Sequence, residues 1–202
     1  MAEPAVSDTI AVKAAYETDV AADTSLSAAW PPYFALVVAW TAMIGSLYFS
    51  EVNHFEPCRL CWYQRILMYP LTVIIPVGIL RRDSGLPAYA LPLSILGAAV
   101  ATYHTLLQKA SYLPAAIRGL CTESAACKAG VPCSSDYINW FGFITIPILA
   151  LAAFLLITFA MSAARRDATE TWAASGPAPW LRVLLSVAAV WIFYVGVYFV
   201  AN

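Results

Sequence analysis

The sequence predicts an all-α integral membrane protein, in which a four-helix transmembrane bundle carries two cysteine loops and a fifth transmembrane helix follows at the C-terminus. Of its 202 residues, 61% are hydrophobic and 11% are charged, whereas a soluble domain has about 25% charged residues. The mean hydropathy is +0.72. Five apolar runs approach the roughly 20 residues that cross a bilayer as a helix.

Residues 1–30 precede the first apolar run and are rich in alanine. They carry five carboxylates against Lys13. No basic segment leads into an apolar core, so the pattern is not that of an ordinary signal peptide. We expect a disordered tail, because too few large apolar residues are present to form a core.

The first two predicted spans cover residues 33–50 and 62–80, with a short polar loop between them at 51–57. The second span contains Pro70 and Pro76. Membrane helices tolerate proline when a neighbouring group satisfies the carbonyl that the missing N–H leaves free. We therefore expect this span to be helical, with neighbouring groups or water satisfying the freed carbonyls.

The third span covers residues 88–107 and follows a turn of sequence RRDSG at 81–85. The polar stretch 109–139 comes next and holds three of the five cysteines. Its first part, 112–120, has the pattern of a short amphipathic helix lying along the membrane. The fourth span is predicted at 140–161.

Four regions follow from these runs: a tail at 1–30, a four-helix redox core at 31–161, a loop at 162–180 and an additional helix at 181–202. Arginines flank the loops after the second and fourth spans: Arg81, Arg82, Arg165, Arg166 and Arg182. The positive-inside rule places these loops and the N-terminus in the cytoplasm of a multi-pass cell-membrane protein. Both cysteine loops are then extracytoplasmic, where disulfides persist. No basic cluster predicts nucleic-acid binding.

Cys58 and Cys61 form a C-x-x-C pair where the polar loop meets the second span. Such a pair closes a disulfide that opens easily, and one of its thiols is often acidic. Cys61 lies near the predicted start of the helix, where free N–H groups and the helix dipole favour a thiolate. Arg65, one turn on, shares a face with Cys61 and further favours the anion. This pattern predicts a redox site at the membrane surface, with no metal.

A second group of cysteines lies on the same side of the predicted membrane: Cys121, Cys127 and Cys133. A thiolate attacks a disulfide sulfur, so two such groups exchange disulfides through a mixed disulfide. The loop would reach a soluble dithiol protein, whereas the C-x-x-C pair at the bilayer interface would contact a lipid-soluble molecule. This arrangement predicts electron transfer from a soluble protein to a quinone.

Three segments of the chain carry a family likeness: CRLCWYQR at 58–65, YHTLLQ at 103–108, and VPC at 131–133 followed by NWFGFITIP at 139–147. Together they resemble the disulfide bond formation protein B (DsbB) family of membrane thiol:quinone oxidoreductases. The last segment resembles the Gram-positive branch of the family. The likeness covers about residues 33–161 and implies four core helices, so the fifth helix is an addition.

The resemblance also implies a set of catalytic cysteines: Cys58, Cys61, Cys127 and Cys133. Cys61 would be the thiolate beside a ubiquinone or menaquinone, with Cys58 as its disulfide partner. Arg65 and His104 would bind that quinone. The loop pair would take electrons from an extracytoplasmic thioredoxin-fold (DsbA-like) thiol oxidase.

The odd number of cysteines leaves the loop pairing open. The VPC context resembles the family and favours Cys127–Cys133, with Cys121 unpaired. A Cys121–Cys127 bond spans an equal sequence separation.

Simpler interpretations also exist for each feature. The C-x-x-C pair could be half of a zinc site completed by two loop cysteines, or a structural disulfide. Arg65 could extend to lipid headgroups, and His104 could be a packing residue.

The alternative functions are a non-catalytic assembly protein with structural disulfides and an enzyme like vitamin K epoxide reductase. In the latter family the loop cysteines precede the C-x-x-C pair, the reverse of the order here.

Overall fold

The structure, a computed structural model, describes residues 30–109, 133, 138, 139, 141, 143–167 and 179–201. Its long elements are five helices, each long and apolar enough to cross a membrane. They are α1 Trp30–Val52, α2 Arg59–Arg81, α3 Leu86–Gln108, α4 Ile146–Asp167 and α5 Pro179–Ala201. The predicted all-helical membrane fold is therefore confirmed.

The helices extend beyond several predicted ends. The last five residues of α1, Tyr48–Val52, form a π-helical turn, so Glu51 is helical rather than part of the loop. Helix α2 begins at Arg59, three residues before the predicted start at 62. Helix α4 begins six residues later than predicted and continues to Asp167, because the alanines and arginines after Met161 are good helix formers. Trp30, the last residue of the predicted tail, belongs to α1. The described residues do not include 1–29, the predicted helix at 112–120, Cys121 or Cys127.

Helix α3 packs against both α2 and α4 and forms the middle of the bundle. Buried apolar side chains from all five helices meet in one core, to which α5 contributes Val183. The largest are Leu36 from α1, Leu71 and Ile75 from α2, Leu86 from α3, and Phe154, Ile157 and Met161 from α4.

Gly97 permits a close approach of α3 to α4. A methyl group at this position would overlap the ring of Phe154, which is fully buried. One turn earlier on α3, the Ser94 hydroxyl lies 3.0 Å from the Thr158 hydroxyl of α4. Inside a bilayer the hydrophobic effect does not drive helices together, so they associate through close packing at small residues and through hydrogen bonds between hydroxyl groups.

The Pro76 position in α2 is stabilised from α1. Proline has no N–H, so the carbonyl of Thr72, four residues earlier, lacks its helical donor. The indole Nε1 of Trp40 donates to this carbonyl at 3.2 Å. The expected outside donor is therefore present, and it also ties α1 to the middle of α2.

Between α2 and α3 the chain reverses in the predicted turn. Arg82 takes the left-handed conformation with φ 52° and ends α2. The Asp83 carboxylate accepts hydrogen bonds from the Gly85 N–H at 2.8 Å and from the Tyr89 hydroxyl at 2.7 Å. This turn lies at the opposite end of α2 from Cys58.

Helix α5 contacts α1 and α2 at the edge of the bundle, and most of its side chains are exposed. Its Tyr194 hydroxyl donates to the Thr41 carbonyl of α1 at 3.0 Å. Gly45 permits this contact, because a Cβ there would lie 2.6 Å from the Tyr194 hydroxyl oxygen.

Candidate functional site

Cys58 is the N-cap residue of α2. Its backbone is extended, and its Sγ accepts a hydrogen bond from the Cys61 N–H at 3.4 Å. The two sulfur atoms lie 3.3 Å apart, and both cysteines are free. Because the helix begins earlier than predicted, the position next to the unpaired N–H groups belongs to Cys58 rather than to Cys61.

The Cys58 thiol is strongly acidic. Its pKa falls from 9.0 to about 4, first because the Cys61 thiol donates a hydrogen bond to it. Burial opposes this shift, and hydrogen bonding to His104 reinforces it. In the reduced pair the anion therefore resides on Cys58, whereas the sequence placed it on Cys61.

His104 connects the two cysteine groups. It lies near the end of α3 and is only 1% exposed. Its Nε2 is 3.6 Å from Cys58 Sγ and 3.0 Å from the carbonyl oxygen of Cys133. Its Nδ1 is 3.2 Å from Nε2 of Gln64. The predicted quinone ligand therefore contacts both predicted disulfide groups.

These partners fix the tautomer of His104. A carbonyl oxygen can only accept, so the Nε2 that faces Cys133 carries the proton. In the neutral ring Nδ1 is then an acceptor, and the Gln64 amide donates to it. The same Nε2–H points to both the Cys133 carbonyl and the Cys58 sulfur, where it can stabilise a thiolate.

Gln64 is a site residue that the sequence reasoning missed. It is 5% exposed and lies within an apolar helix. A buried amide in such a helix needs a polar partner. Gln64 lies directly before Arg65, in the helical turn that follows the C-x-x-C pair. This position was the signal that the polar partner of its amide belongs to the redox site.

Cys133 is disulfide-bonded and 1% exposed. Since Cys58 and Cys61 are free, its bond partner lies outside the described residues, and the choice between Cys121 and Cys127 stays open. Cys133 packs in one apolar cluster with Cys58, together with Leu60 and Leu107. The structure thus brings the loop disulfide next to the C-x-x-C pair.

Arg65 lies where α1 meets α2. Its guanidinium donates to the Ser46 carbonyl at 2.9 Å and stands over the Trp62 ring at 5.3 Å from the centroid. The π-helical turn of α1 begins two residues after Ser46, and such turns are frequent at functional sites. Among the described residues, the hydrogen bond of Arg65 is to α1 rather than to Cys61.

Burial gives the two sulfurs different surroundings. Cys58 is 6% exposed and faces His104 and the Cys133 cluster. Cys61 is partly exposed, and its helical neighbour Trp62 is 51% exposed. Cys58 therefore lies on the side of the loop disulfide, and Cys61 lies on the more exposed side.

Comparison with known proteins agrees with this geometry. The sequence profile described as "Disulfide bond formation protein DsbB" matches residues 29–194. The disulfide bond formation protein C of Bacillus subtilis is 49% identical over 138 residues, which are 68% of this chain and 94% of the relative.

Other relatives include a probable disulfide formation protein C of Halalkalibacterium halodurans, 49% identical over 60% of this chain and 82% of its own. A probable disulfide formation protein C 1 of Bacillus anthracis is 46% identical over 61% of this chain and 86% of its own. No solved structure gives a significant match. The chain therefore belongs to the DsbB family of membrane disulfide bond formation proteins, in the branch of the Bacillus disulfide formation proteins C.

Proposed function

We propose that the protein oxidises an extracytoplasmic thioredoxin-fold dithiol oxidase and passes the electrons to a membrane quinone. The observation that supports this most directly is the position of His104. One imidazole contacts Cys58 Sγ and the Cys133 backbone, so a loop disulfide and a C-x-x-C pair share one buried cluster. Two adjacent disulfide groups are what a two-stage electron transfer requires.

The first step is exchange between the partner and the loop. A partner thiolate attacks the Cys133 disulfide, the partner leaves as a disulfide, and the loop keeps two thiols. The loop thiols then attack the oxidised Cys58–Cys61 bond. This step restores the loop disulfide and leaves Cys58 and Cys61 as thiols, so two electrons and two protons move inward.

In this second step Cys58 serves as the leaving sulfur. A sulfur whose thiolate is stabilised leaves faster in disulfide exchange, and the Cys61 backbone N–H at the start of α2 donates to the Cys58 sulfur. The Nε2–H of His104 also points at this sulfur and stabilises its charge. The loop sulfur therefore bonds to Cys61 in the mixed disulfide, because attack on Cys58 would make Cys61 the leaving sulfur and would lack both advantages.

A quinone, when bound, would accept two electrons and two protons from the cysteine pair, which would thereby return to a disulfide. Two donors on one face of α2 fit its carbonyl oxygens: the Arg65 guanidinium and, one turn on, the Tyr69 hydroxyl. The Tyr69 hydroxyl oxygen is buried without a hydrogen-bond partner among the described residues. A membrane-soluble acceptor would supply the missing partner, since buried hydroxyls are normally paired.

The proposed orientation places the cysteine end outside the cell and the arginine-flanked turn inside. An impermeant thiol reagent should then label reduced Cys58 in intact cells. Labelling only after the membrane is permeabilised would contradict this orientation.

The activity test uses purified protein in lipid nanodiscs with a short-chain ubiquinone or menaquinone. A reduced thioredoxin-fold dithiol oxidase is added, and quinone reduction is followed by its ultraviolet absorbance. We expect catalytic turnover in the wild type and none in Cys61→Ser. Intact, reducible cysteines without quinone turnover would instead support the non-catalytic assembly protein.

A further inference from the structure

We propose that the reduced Cys58–Cys61 pair and His104 together form a binding site for a thiophilic divalent cation such as Zn²⁺ or Cd²⁺. Their donor atoms, two sulfurs and one imidazole nitrogen, all lie within 4.8 Å of one another. Capture of the metal holds the protein in its reduced form and stops electron transfer. This inference concerns regulation and does not depend on the identity of the electron acceptor.

The spacing of the donors matches a tetrahedral site. With metal–sulfur distances of about 2.3 Å and metal–nitrogen distances of about 2.0–2.1 Å, neighbouring donors lie roughly 3.5–3.8 Å apart. The Cys58 Sγ–His104 Nε2 distance is 3.6 Å, and the distance between the sulfurs is 3.3 Å. The third pair, Cys61 Sγ and His104 Nε2, lies within 4.8 Å, so binding needs side-chain shifts of roughly 1 Å.

The neighbours of His104 allow it to become a ligand. Metal binding needs an unprotonated Nε2, so the ring proton moves to Nδ1 and the contact with the Cys133 carbonyl is released. A half-turn of the Gln64 amide presents its oxygen to the new Nδ1–H. A metal-bound histidine usually makes this kind of hydrogen bond through its second nitrogen.

Only the reduced protein can bind in this way. Each free thiol loses its proton as the metal binds, whereas two sulfurs joined in a disulfide supply no thiolate. Three protein ligands leave the fourth position of the metal to water. The zinc site considered from the sequence used loop cysteines instead, but Cys133 is held in a disulfide and His104 takes the third position.

The test is a Cd²⁺ titration of the full-length, anaerobically reduced protein in nanodiscs, followed by the ultraviolet sulfur-to-cadmium absorption. A variant with the loop cysteines changed to serine (Cys121→Ser, Cys127→Ser, Cys133→Ser) removes competing thiols. We expect one Cd²⁺ per chain in this variant, and none when its Cys58 and Cys61 are oxidised. Loss of binding in the triple variant would overturn the proposal.

His104→Ala should weaken Cd²⁺ binding at least tenfold. The matched control is His54→Ala, because His54 is the second of the two histidines and is exposed. If His104→Ala binds as tightly as the wild type, the site is a simple dithiol and the proposal is wrong.

X-ray absorption of the Zn²⁺-loaded wild type checks the ligands without any substitution. An imidazole shell beside two sulfurs supports the site, and a spectrum without imidazole contradicts it. Neither measurement uses a quinone or a partner protein. A failed proposal for quinone reduction would therefore leave this test unaffected.

Discussion

The two ends of α2 are built in different ways. At the arginine end, the turn is closed by contacts within six positions, such as the Asp83–Tyr89 hydrogen bond. At the cysteine end, the contacts join distant parts of the chain: His104 and Cys58 are 46 positions apart, and His104 and Gln64 are 40 apart. One end is a local turn, and the other is assembled from α2, α3 and the segment that carries Cys133.

This difference separates stability from reactivity. The arginine end has its carboxylate exposed to solvent and satisfied by nearby donors, so a change there has a local effect. The cysteine end places an acidic thiol, a neutral imidazole and an amide in a buried cluster, where each group depends on the others. We therefore expect substitutions at the cysteine end to alter chemistry and those at the arginine end to alter stability slightly.

The largest expected effect is a difference in pH dependence between the alkylation of Cys58 and that of an ordinary thiol. A group with a depressed pKa stays ionised until the pH falls to that value, so the rate for Cys58 should be nearly constant from pH 8 to pH 5 and fall near pH 4. An ordinary thiol with pKa near 8.5 loses roughly tenfold in rate per pH unit, about 10³-fold across this range. Iodoacetamide labelling followed by peptide mass spectrometry measures the alkylation rate of Cys58 and that of an ordinary thiol at each pH.

Cys61→Ala removes the thiol that donates to Cys58 and should move the onset of labelling to higher pH. An unchanged profile in this variant would mean that the Cys58 anion depends on the helix end and His104 alone.

Arginine substitutions at the two ends compare their roles directly. Arg65→Met should lower quinone turnover by about 10²-fold, the usual effect of losing one donor to a developing oxyanion. Arg65→Lys keeps the positive charge but loses the planar guanidinium with its fixed set of donors, so its turnover should lie between those of Arg65→Met and the wild type.

Arg82→Met, at the other end of α2, is the matched control and should turn over like the wild type. Equal rates for Arg65→Met and Arg82→Met would make Arg65 a lipid headgroup anchor.

Gln64 tests whether the tautomer of His104 matters. Gln64→Leu leaves Nδ1 buried without a partner, which costs about 1–3 kcal/mol, and should slow turnover roughly tenfold. Gln64→Glu presents only acceptors, so it favours a proton on Nδ1 and should disturb the tautomer that places the proton on Nε2. Stopped-flow rates against pH separate these outcomes, and a Gln64→Leu profile identical to the wild type would refute a positioning role.

The smallest effect is expected at the turn. Hydrogen bonds from the Tyr89 hydroxyl and the Gly85 N–H lower the pKa of the Asp83 carboxyl. Its stabilising contribution is therefore present above the unfolded pKa near 3.9 and is lost as the pH falls through the lower folded value. Asp83→Asn should destabilise the protein at pH 7 by at most about 1 kcal/mol, measured by unfolding in mixed micelles, with turnover unchanged.

The sequence predicts regions with local contacts, such as the arginine end of α2, better than regions with long-range contacts, such as its cysteine end. Apolar run lengths gave the five helices, and the RRDSG turn was visible because its contacts are local. The donor at Pro76 was expected in kind, but its identity as Trp40 depends on the packing of α1. The exact helix starts were missed, and the shift at α2 moved the acidic position from Cys61 to Cys58.

The site was predictable only in part. The motif indicated Cys58, Cys61 and Arg65, and the resemblance added His104 as a quinone ligand. Its contact with the Cys133 backbone, and the part played by Gln64, depend on how α2 and α3 pack. Sequence spacing carries no information about pairs of this kind.

The hydrogen bond from His104 goes to the backbone oxygen of Cys133, not to its sulfur. A peptide carbonyl keeps the same charge and geometry whether the neighbouring sulfur is a thiol, a loop disulfide or a mixed disulfide. The attachment of the loop to α3 is therefore independent of redox state. The sulfur atoms can change partners during a catalytic cycle while the backbone of residue 133 stays hydrogen-bonded to His104 beside Cys58.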